Sequence, residues 1–174
     1  KHGSSYQVDA LISPIIGDDG KPEGYVGIRY EKTQQVIAMV EATAIKSAVD
    51  TGWAFIDFEP DGTILNPNEN FVSALGYSSS DELTGNHHRM FCDDEYSKSN
   101  EYVQFWKDLA NGKTQAGDFR RLKKDGSDIW IKASYTPIKD EKGKVFKVIK
   151  IATDITSEKI LSMNAQGLKD TVDA

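Results

Sequence analysis

Residues 1–33 recur without a gap at residues 124–156, 123 positions further along the chain. The aligned positions include ten identities, which are Lys1/Lys124, Gly3/Gly126, Ser4/Ser127, Ala10/Ala133, Pro14/Pro137, Ile15/Ile138, Gly20/Gly143, Lys21/Lys144, Ile28/Ile151 and Thr33/Thr156. Several of these are turn positions, where few residues substitute for glycine. The repeat therefore predicts that one structural unit occurs twice.

Each copy has the pattern of a β-hairpin, with a strand, a turn that ends in Gly-Lys, and a second strand. In the second copy Ile129, Ile131, Ala133 and Tyr135 alternate with Asp128, Trp130, Lys132 and Ser134, so one face is predicted to be buried. A lone hairpin is marginally stable in water. We therefore expect residues 1–31 to be the last hairpin of a preceding domain.

The pattern between the two copies predicts the remaining elements. Residues 33–49 contain no Gly or Pro and form a helical stripe with Val36, Val40, Ile45 and Ala48. The later predictions are strands at 53–58 and 63–65, short helical turns within 66–81, a helix at 97–110 capped by Ser97 or Ser99 and ended by Asn111-Gly112, and a strand at 119–122. In the tail, Leu161, Ala165, Leu168 and Val172 fit either a short coiled-coil helix or a frayed amphipathic end.

Composition excludes several classes of function. The chain of 174 residues has 27 acidic and 21 basic residues, without the basic patch that nucleic-acid binding needs. It has no apolar run long enough to cross a bilayer, so we expect no membrane contact by this segment. Its single cysteine suits a reducing compartment, and we expect a cytoplasmic location.

Several motifs in this order resemble the PAS sensory domain, in the form found in tandem in bacterial methyl-accepting chemotaxis and aerotaxis receptors. The matching segments are Asn66-Pro67-Asn68-Glu69-Asn70-Phe71, Leu75-Gly76-Tyr77, Glu82-Leu83-Thr84-Gly85, His88-Arg89-Met90-Phe91, Phe105-Trp106, Lys124-Asp125-Gly126-Ser127, Trp130-Ile131, Pro137-Ile138 and Asp154-Ile155-Thr156. Each segment alone is weak evidence, but their order and spacing agree.

The resemblance implies an α+β fold with a five-stranded antiparallel sheet, short helices on one face, and amphipathic helices at both ends. It divides the chain into a hairpin of a preceding PAS domain (1–31), a connecting helix (32–49), a PAS domain (50–156) and an exit signalling helix (157–174). The implied function is sensing in a homodimer that passes a change to a downstream receptor signalling domain. The alternative is a cofactor-less dimerisation module.

The segment with His87, His88 and Cys92 is the candidate cofactor site. Adjacent histidines diverge on a helix or a strand, and structural zinc needs four ligands, so we expect no metal site. Haem needs one axial imidazole, and haem-binding relatives place it in this region. In the alternative interpretation, one histidine is solvated, the other bonds a loop carbonyl, and Met90 and Phe91 fill the core.

Flavin is the second cofactor candidate. The resemblance assigns a flavin-binding asparagine to Asn68, but Gln115 stands where flavin-binding relatives have a tryptophan. Asn68 can alternatively cap the turn before Phe71, and Trp106 and Trp130 suit packing or surface stacking. We expect an empty pocket first, haem next, and FAD after that.

The ending Asp154-Ile155-Thr156 is the predicted signal relay. In the family, its aspartate and threonine tie the last strand to the exit helix, and Thr156 can also serve as the helix N-cap. We expect no enzymatic activity, because acids such as Asp93-Asp94-Glu95 lie in polar loops and no catalytic motif occurs.

Overall fold

A computed structural model of the chain describes residues 8–31 and 33–172. Lys1, His2, Gly3 and Ser4 of the first repeat copy, and the last two residues of the tail, lie outside the described residues. The chain divides into two compact units, Lys1–Ala48 and Val49–Ala174.

The first unit contains a hairpin and most of a helix. Strands β1 (Val8–Ile16) and β2 (Pro22–Glu31) pair antiparallel. Helix α1 (Thr33–Gly52) follows and continues into the second unit, so it ends three residues beyond the predicted end at residue 49.

The second unit is built on five antiparallel strands. Its elements are β3 (Ala54–Phe58), β4 (Ile64–Pro67), α2 (Glu69–Ala74), 3₁₀ helices at Ser80–Glu82 and His88–Phe91, α3 (Asp94–Ser97), α4 (Asn100–Ala110), β5 (Gln115–Leu122), β6 (Asp128–Lys139), β7 (Val145–Asp154) and α5 (Thr156–Val172). The strand order is β4-β3-β7-β6-β5. The predicted α+β fold with a five-stranded antiparallel sheet is confirmed.

The two repeat copies form hairpins of the same register. Ile131 lies opposite Asp154 as Val8 lies opposite Glu31, and both hairpins have an irregularity at the equivalent position near the turn. The turns place Gly20 at φ 76° and Gly143 at φ 80°, a region that favours glycine. The prediction of two equivalent hairpins is confirmed.

The core lies between the sheet and the helices. The predicted inward residues of β6, Ile129, Ile131, Ala133 and Tyr135, are all buried. Helix α4 buries Tyr102, Phe105, Trp106 and Leu109. Burial of a large apolar side chain contributes about 1.5–3 kcal/mol, so this layer is a main source of stability.

The predicted helix at 97–110 begins three residues later than expected, and the alternative that Ser99 caps it is confirmed. Ser97 ends α3, and α4 begins at Asn100. Ser99 is the N-cap, because its extended backbone breaks the helix and its hydroxyl accepts a hydrogen bond from the Tyr102 N–H at 3.1 Å. Asn111 ends α4 as predicted.

The helices differ from membrane-spanning helices in length and apolar character. Within the described part of the chain, none is both long and apolar enough to cross a bilayer.

Candidate functional site

The 3₁₀ helix His88–Phe91 carries the candidate histidine into the core. The His88 N–H donates to the carbonyl oxygen of Gly62 at 2.9 Å. Gly62 has φ 97°, and a Cβ there would lie 2.8 Å from the Trp106 ring and 2.9 Å from the His87 ring. A glycine in the β3–β4 turn is therefore needed for this close approach.

His88 is fully buried in an aromatic cage. Six rings have centroids between 5.3 and 6.4 Å from the imidazole centroid: Phe58, Phe91, Tyr102, Phe105, Trp106 and Tyr135. Phe91 also packs against Phe71 and Tyr77. The cage makes His88 part of the packed core.

Both imidazole nitrogens of His88 have hydrogen-bond partners. Nδ1 lies 3.1 Å from the Tyr102 hydroxyl, and Nε2 lies 3.1 Å from the Tyr135 hydroxyl. The Cys92 sulfur lies 3.9 Å from Nδ1, and burial raises the pKa of its thiol. Cys92 is therefore a protonated, packed thiol at neutral pH.

His87 bonds the loop at the edge of this core. Its Nδ1 accepts from the Arg89 N–H at 3.2 Å, so Nε2 carries the proton and donates to the Asp61 carbonyl at 2.8 Å. The Tyr102 hydroxyl lies 3.4 Å from the same Nδ1. A hydrogen-bond chain thus links His88, through Tyr102, to the surface loop.

The electrostatic environment keeps both histidines neutral. Burial lowers the pKa of His88 well below its usual value, and the cations Arg121 and Lys150 lower it further. Burial also lowers the pKa of His87, against a smaller raising effect of its bond to Asp61. Neither imidazole carries a charge at pH 7.

The core does not fit haem or flavin. Its internal cavity has a volume of about 20 Å³, whereas pockets for ligands of this size have about 300–1,000 Å³. An axial bond to haem iron also requires a free imidazole nitrogen, and both nitrogens of His88 are bonded to tyrosines.

In the alternative interpretation, Phe91 fills the core and one histidine bonds a loop carbonyl. Both points are confirmed, since Phe91 is buried and His87 bonds the Asp61 carbonyl. The interpretation is wrong for the second histidine, because His88 is buried and not solvated. Among the described residues, no three His, Cys, Asp or Glu side chains converge as a metal site.

Asn68 has a structural role. Its Oδ1 accepts from the N–H groups of Phe71 and Phe55, both at 2.9 Å, and its Nδ2 donates to Asp50 and Trp53. The alternative that Asn68 caps the turn before Phe71 is confirmed. The residues around the 20 Å³ cavity do not include Asn68.

Two buried cations, Arg121 and Lys150, were not predicted from the sequence; they are 3% and 1% exposed. Each lies in the inward phase of its strand, Arg121 two residues after Phe119 and Lys150 between Val148 and Ala152. Their alternation with the apolar residues of the same strand face was the sequence feature that could have predicted their burial.

The two cations have few partners. Arg121 Nη1 donates to the Arg120 carbonyl at 2.7 Å, Nη2 lies 3.4 Å from the Tyr135 hydroxyl, and Nε has no hydrogen-bond partner. Lys150 Nζ lies 5.1 Å from the ring centroids of Phe71 and Tyr135. Burial lowers the pKa of Lys150 well below its usual value, and Arg121 adds to this effect.

The residues Asp154, Ile155 and Thr156 form a compact junction with Trp130, which we call the exit junction. The Thr156 hydroxyl accepts from the Trp130 N–H at 3.0 Å and donates to Asp154 Oδ1 at 2.5 Å. The Ile155 N–H donates to the Trp130 carbonyl at 2.8 Å. The junction ties the start of α5 to β6.

The prediction that Thr156 is the helix N-cap is wrong. Thr156 is the first residue of α5, and its hydroxyl is engaged by Trp130 and Asp154. Lys159 strengthens the same attachment through an ion pair with Asp118 at 2.7 Å and a position 5.4 Å from the Trp130 ring centroid. Trp130 thus has the surface-stacking role that was predicted as its alternative.

A family model described as the PAS fold matches residues 64–152, about half of the chain. This chain belongs to the PAS family. The match runs from β4 into β7 and so includes His88, both buried cations and all the rings of the aromatic cage except Phe58.

Two curated relatives are bacterial proteins. The chain is 40% identical over 109 residues to the biofilm dispersion protein BdlA of Pseudomonas aeruginosa, covering 63% of this chain and 26% of the relative. It is 27% identical over 131 residues to the aerotaxis receptor of Escherichia coli, covering 75% of this chain and 24% of the relative. The chain therefore spans about a quarter of each of these relatives.

Solved structures share the fold. An RNA-binding light-oxygen-voltage receptor aligns with a TM-score of 0.62 at 17% identity, over 98% of this chain and 45% of that one. The PAS domain of a Colwellia psychrerythraea protein aligns with a TM-score of 0.57 at 23% identity, over 67% of this chain and 98% of that one.

Proposed function

We propose that this PAS domain is a sensory module of a chemotaxis-type receptor that passes a change in its core or dimer surface into α5. The exit junction carries this proposal, because it binds the first residues of α5 to the backbone of β6 through Trp130. A change in the position of β7 relative to β6 alters these hydrogen bonds and hence the start of the helix.

The geometry of β7 supports a path from the core to the junction. Lys150 lies in the core, and Asp154 lies four residues later on the same strand. Both residues line the same 20 Å³ cavity. A group that displaces Lys150 therefore acts on the strand that ends in the junction.

We propose further that the module works without haem or flavin. The tight packing around His88 and the small cavity support this proposal. His87 and His88 then act as core and loop residues, and Asn68 acts as a helix cap.

We also propose the domain arrangement that the resemblance implies, with residues 1–31 as the last hairpin of a preceding PAS domain. In support, Ile12 and Tyr25 are 66% and 69% exposed, whereas the equivalent Tyr135 and Val148 of the second copy are fully buried. Exposed apolar surface at core-facing positions suits a hairpin that packs in a larger domain.

A homodimer with a cytoplasmic downstream signalling domain completes the proposal. Met39 and Val40 of α1 and Leu161 and Met163 of α5 are all more than 60% exposed, which suits helices that pair with a second copy. The alternative function is a dimerisation module that transmits no signal.

Asp154→Ala tests the proposal when the chain is fused through α5 to a chemoreceptor signalling domain. The variant removes the acceptor of the Thr156 hydroxyl. We therefore expect the basal activity of the kinase that the signalling domain controls to change by about 5-fold. Circular dichroism should show a folded domain, because Asp154 is exposed.

Asp128→Ala is the matched control, because Asp128 is an exposed acid of β6 that pairs with Arg120 and not with α5. The control should leave the output unchanged. Equal output from Asp154→Ala and the unmodified fusion would support the dimerisation module instead.

A further inference from the structure

The five-stranded sheet ends in two edge strands, β4 and β5. The outer side of β4 is covered, because the Ile64 N–H donates to the Asn86 carbonyl at 2.8 Å and the Ile64 carbonyl accepts from the Gly85 N–H at 2.9 Å. Strand β5 pairs with β6, and within residues 8–31 and 33–172 no backbone group bonds its other side. Of the two edges, β5 is therefore the open one, and it is eight residues long.

The direction of the backbone groups of β5 follows from Trp130, which lies opposite Arg120. The Trp130 N–H donates to the Thr156 hydroxyl and its carbonyl accepts from the Ile155 N–H, so both groups point away from β5. The pair of Trp130 and Arg120 is therefore not hydrogen-bonded, and the N–H and C=O of Arg120 point away from β6. By the alternation of a strand, the outward backbone groups of β5 belong to Ala116, Asp118, Arg120 and Leu122.

The outward backbone groups of β5 are available to a further strand. Among them, and within the described part of the chain, the Arg120 carbonyl alone has a protein partner, Arg121 Nη1 at 2.7 Å. An open groove of about 660 Å³ lies between α4 and β5, with Phe105 of the helix and Phe119 of the strand in its lining. Helix α4 therefore leaves the edge uncovered, and β5 contains no proline that would block pairing.

Two of the outward positions carry opposite charges, Asp118 and Arg120, and both side chains are exposed. Charged side chains on an edge usually prevent pairing with another copy. When β5 pairs antiparallel with itself, however, one register places Asp118 opposite the partner's Arg120 twice. The two neighbouring registers of the same hydrogen-bond phase place Asp118 opposite itself or Arg120 opposite itself, and like charges directly opposite are destabilising. The charges therefore favour a single register.

That register also satisfies the backbone of β5. Asp118 and Arg120 are both outward residues, and the same alignment places Ala116 opposite the partner's Leu122, so hydrogen-bonded pairs form along the strand. Phe119 then lies on the two-fold axis, opposite the partner's Phe119, and aromatic cross-strand pairs stabilise a sheet. Charge and hydrogen-bond phase thus select the same alignment.

We propose that β5 is a self-association edge, at which the sheets of two copies of this chain join antiparallel into one continuous sheet. Arg120 exchanges its exposed ion pair with Asp93 for one with the partner's Asp118. Asp118 also pairs with Lys159 of α5, so the joined edge contacts the start of the exit helix. The inference rests on the proposed function for its biological meaning, since it names the dimer surface of the module. Its test, however, measures association alone.

Sedimentation equilibrium of the whole chain, from about 1 µM to about 1 mM, tests the proposal. Asp118→Arg places arginine opposite arginine, and Arg120→Asp places acid opposite acid, so each variant alone should weaken self-association at least about 10-fold. An equimolar mixture of the two variants should restore the association of the unmodified chain. In the mixed dimer, every opposed pair is again an acid and a base.

Lys159→Gln is the matched control for the ion pair that Asp118→Arg also removes. This control leaves both edge charges in place and should associate as the unmodified chain does. Circular dichroism confirms that the variants are folded. We expect no loss of fold, because the side chains of Asp118 and Arg120 are exposed and their backbone groups do not bond β6.

Three results would overturn the proposal: a monomer over the whole concentration range, unchanged self-association of the two edge variants, or a mixture that associates no more tightly than either variant alone. None of these depends on receptor output. Failure of the edge pairing and failure of the Asp154→Ala test are therefore separate outcomes.

Discussion

His88→Ala should lower the free energy of unfolding by about 3–5 kcal/mol. The substitution removes a fully buried ring from the aromatic cage and leaves the Tyr102 and Tyr135 hydroxyls without their shared partner. Urea denaturation at pH 7, followed by circular dichroism, measures the change.

His87→Ala is the matched control, since the two residues are adjacent and have the same ionisable group. His87 is only half-buried and mainly caps the 3₁₀ helix, so the expected loss is about 1 kcal/mol. Equal losses in the two variants would contradict a core role for His88.

The stability of the unmodified chain should rise with pH above neutrality because of Lys150. Its pKa is lowered in the folded state, so the unfolded chain binds more protons between that lowered pKa and 10.5. The free energy of unfolding should then rise by about 1.4 kcal/mol per pH unit from this group.

Lys150→Met should remove this contribution and raise the free energy of unfolding at pH 7 by about 1–4 kcal/mol. Urea denaturation of both proteins at pH 7, 8 and 9 in carboxylate-free buffer gives the two slopes. Lys132→Met should keep the slope of the unmodified chain. The same slope in Lys150→Met and the unmodified chain would show that Lys150 stays protonated in the core.

The sheet was predictable because its physical signal is local. Period-two alternation fixed the buried face of β6, and the repeat indicated that β1 and β2 pair as β6 and β7 do. The same alternation could have identified Arg121 and Lys150, but a charged residue in the inward phase is easily taken for a surface residue.

The environment of His88 was not predictable from its own segment. Its two tyrosine partners lie 14 and 47 residues away along the chain, and they meet only when α4 packs on β6. The role of Thr156 was not predictable for the same reason. Its hydroxyl accepts a hydrogen bond from Trp130 on strand β6 and not from an N–H of its own helix. Local capping rules describe only partners within a few residues.

Amide hydrogen exchange at the start of α5 tests the relay most directly. Mass spectrometry of the unmodified chain and of Asp154→Ala reports the protection of residues 155–160, with Asp128→Ala as control. We expect at least 10-fold faster exchange of these amides in Asp154→Ala, a loss of about 1.4 kcal/mol in local stability, while the amides of β6 stay protected. Unchanged protection of residues 155–160 would contradict a relay through the exit junction.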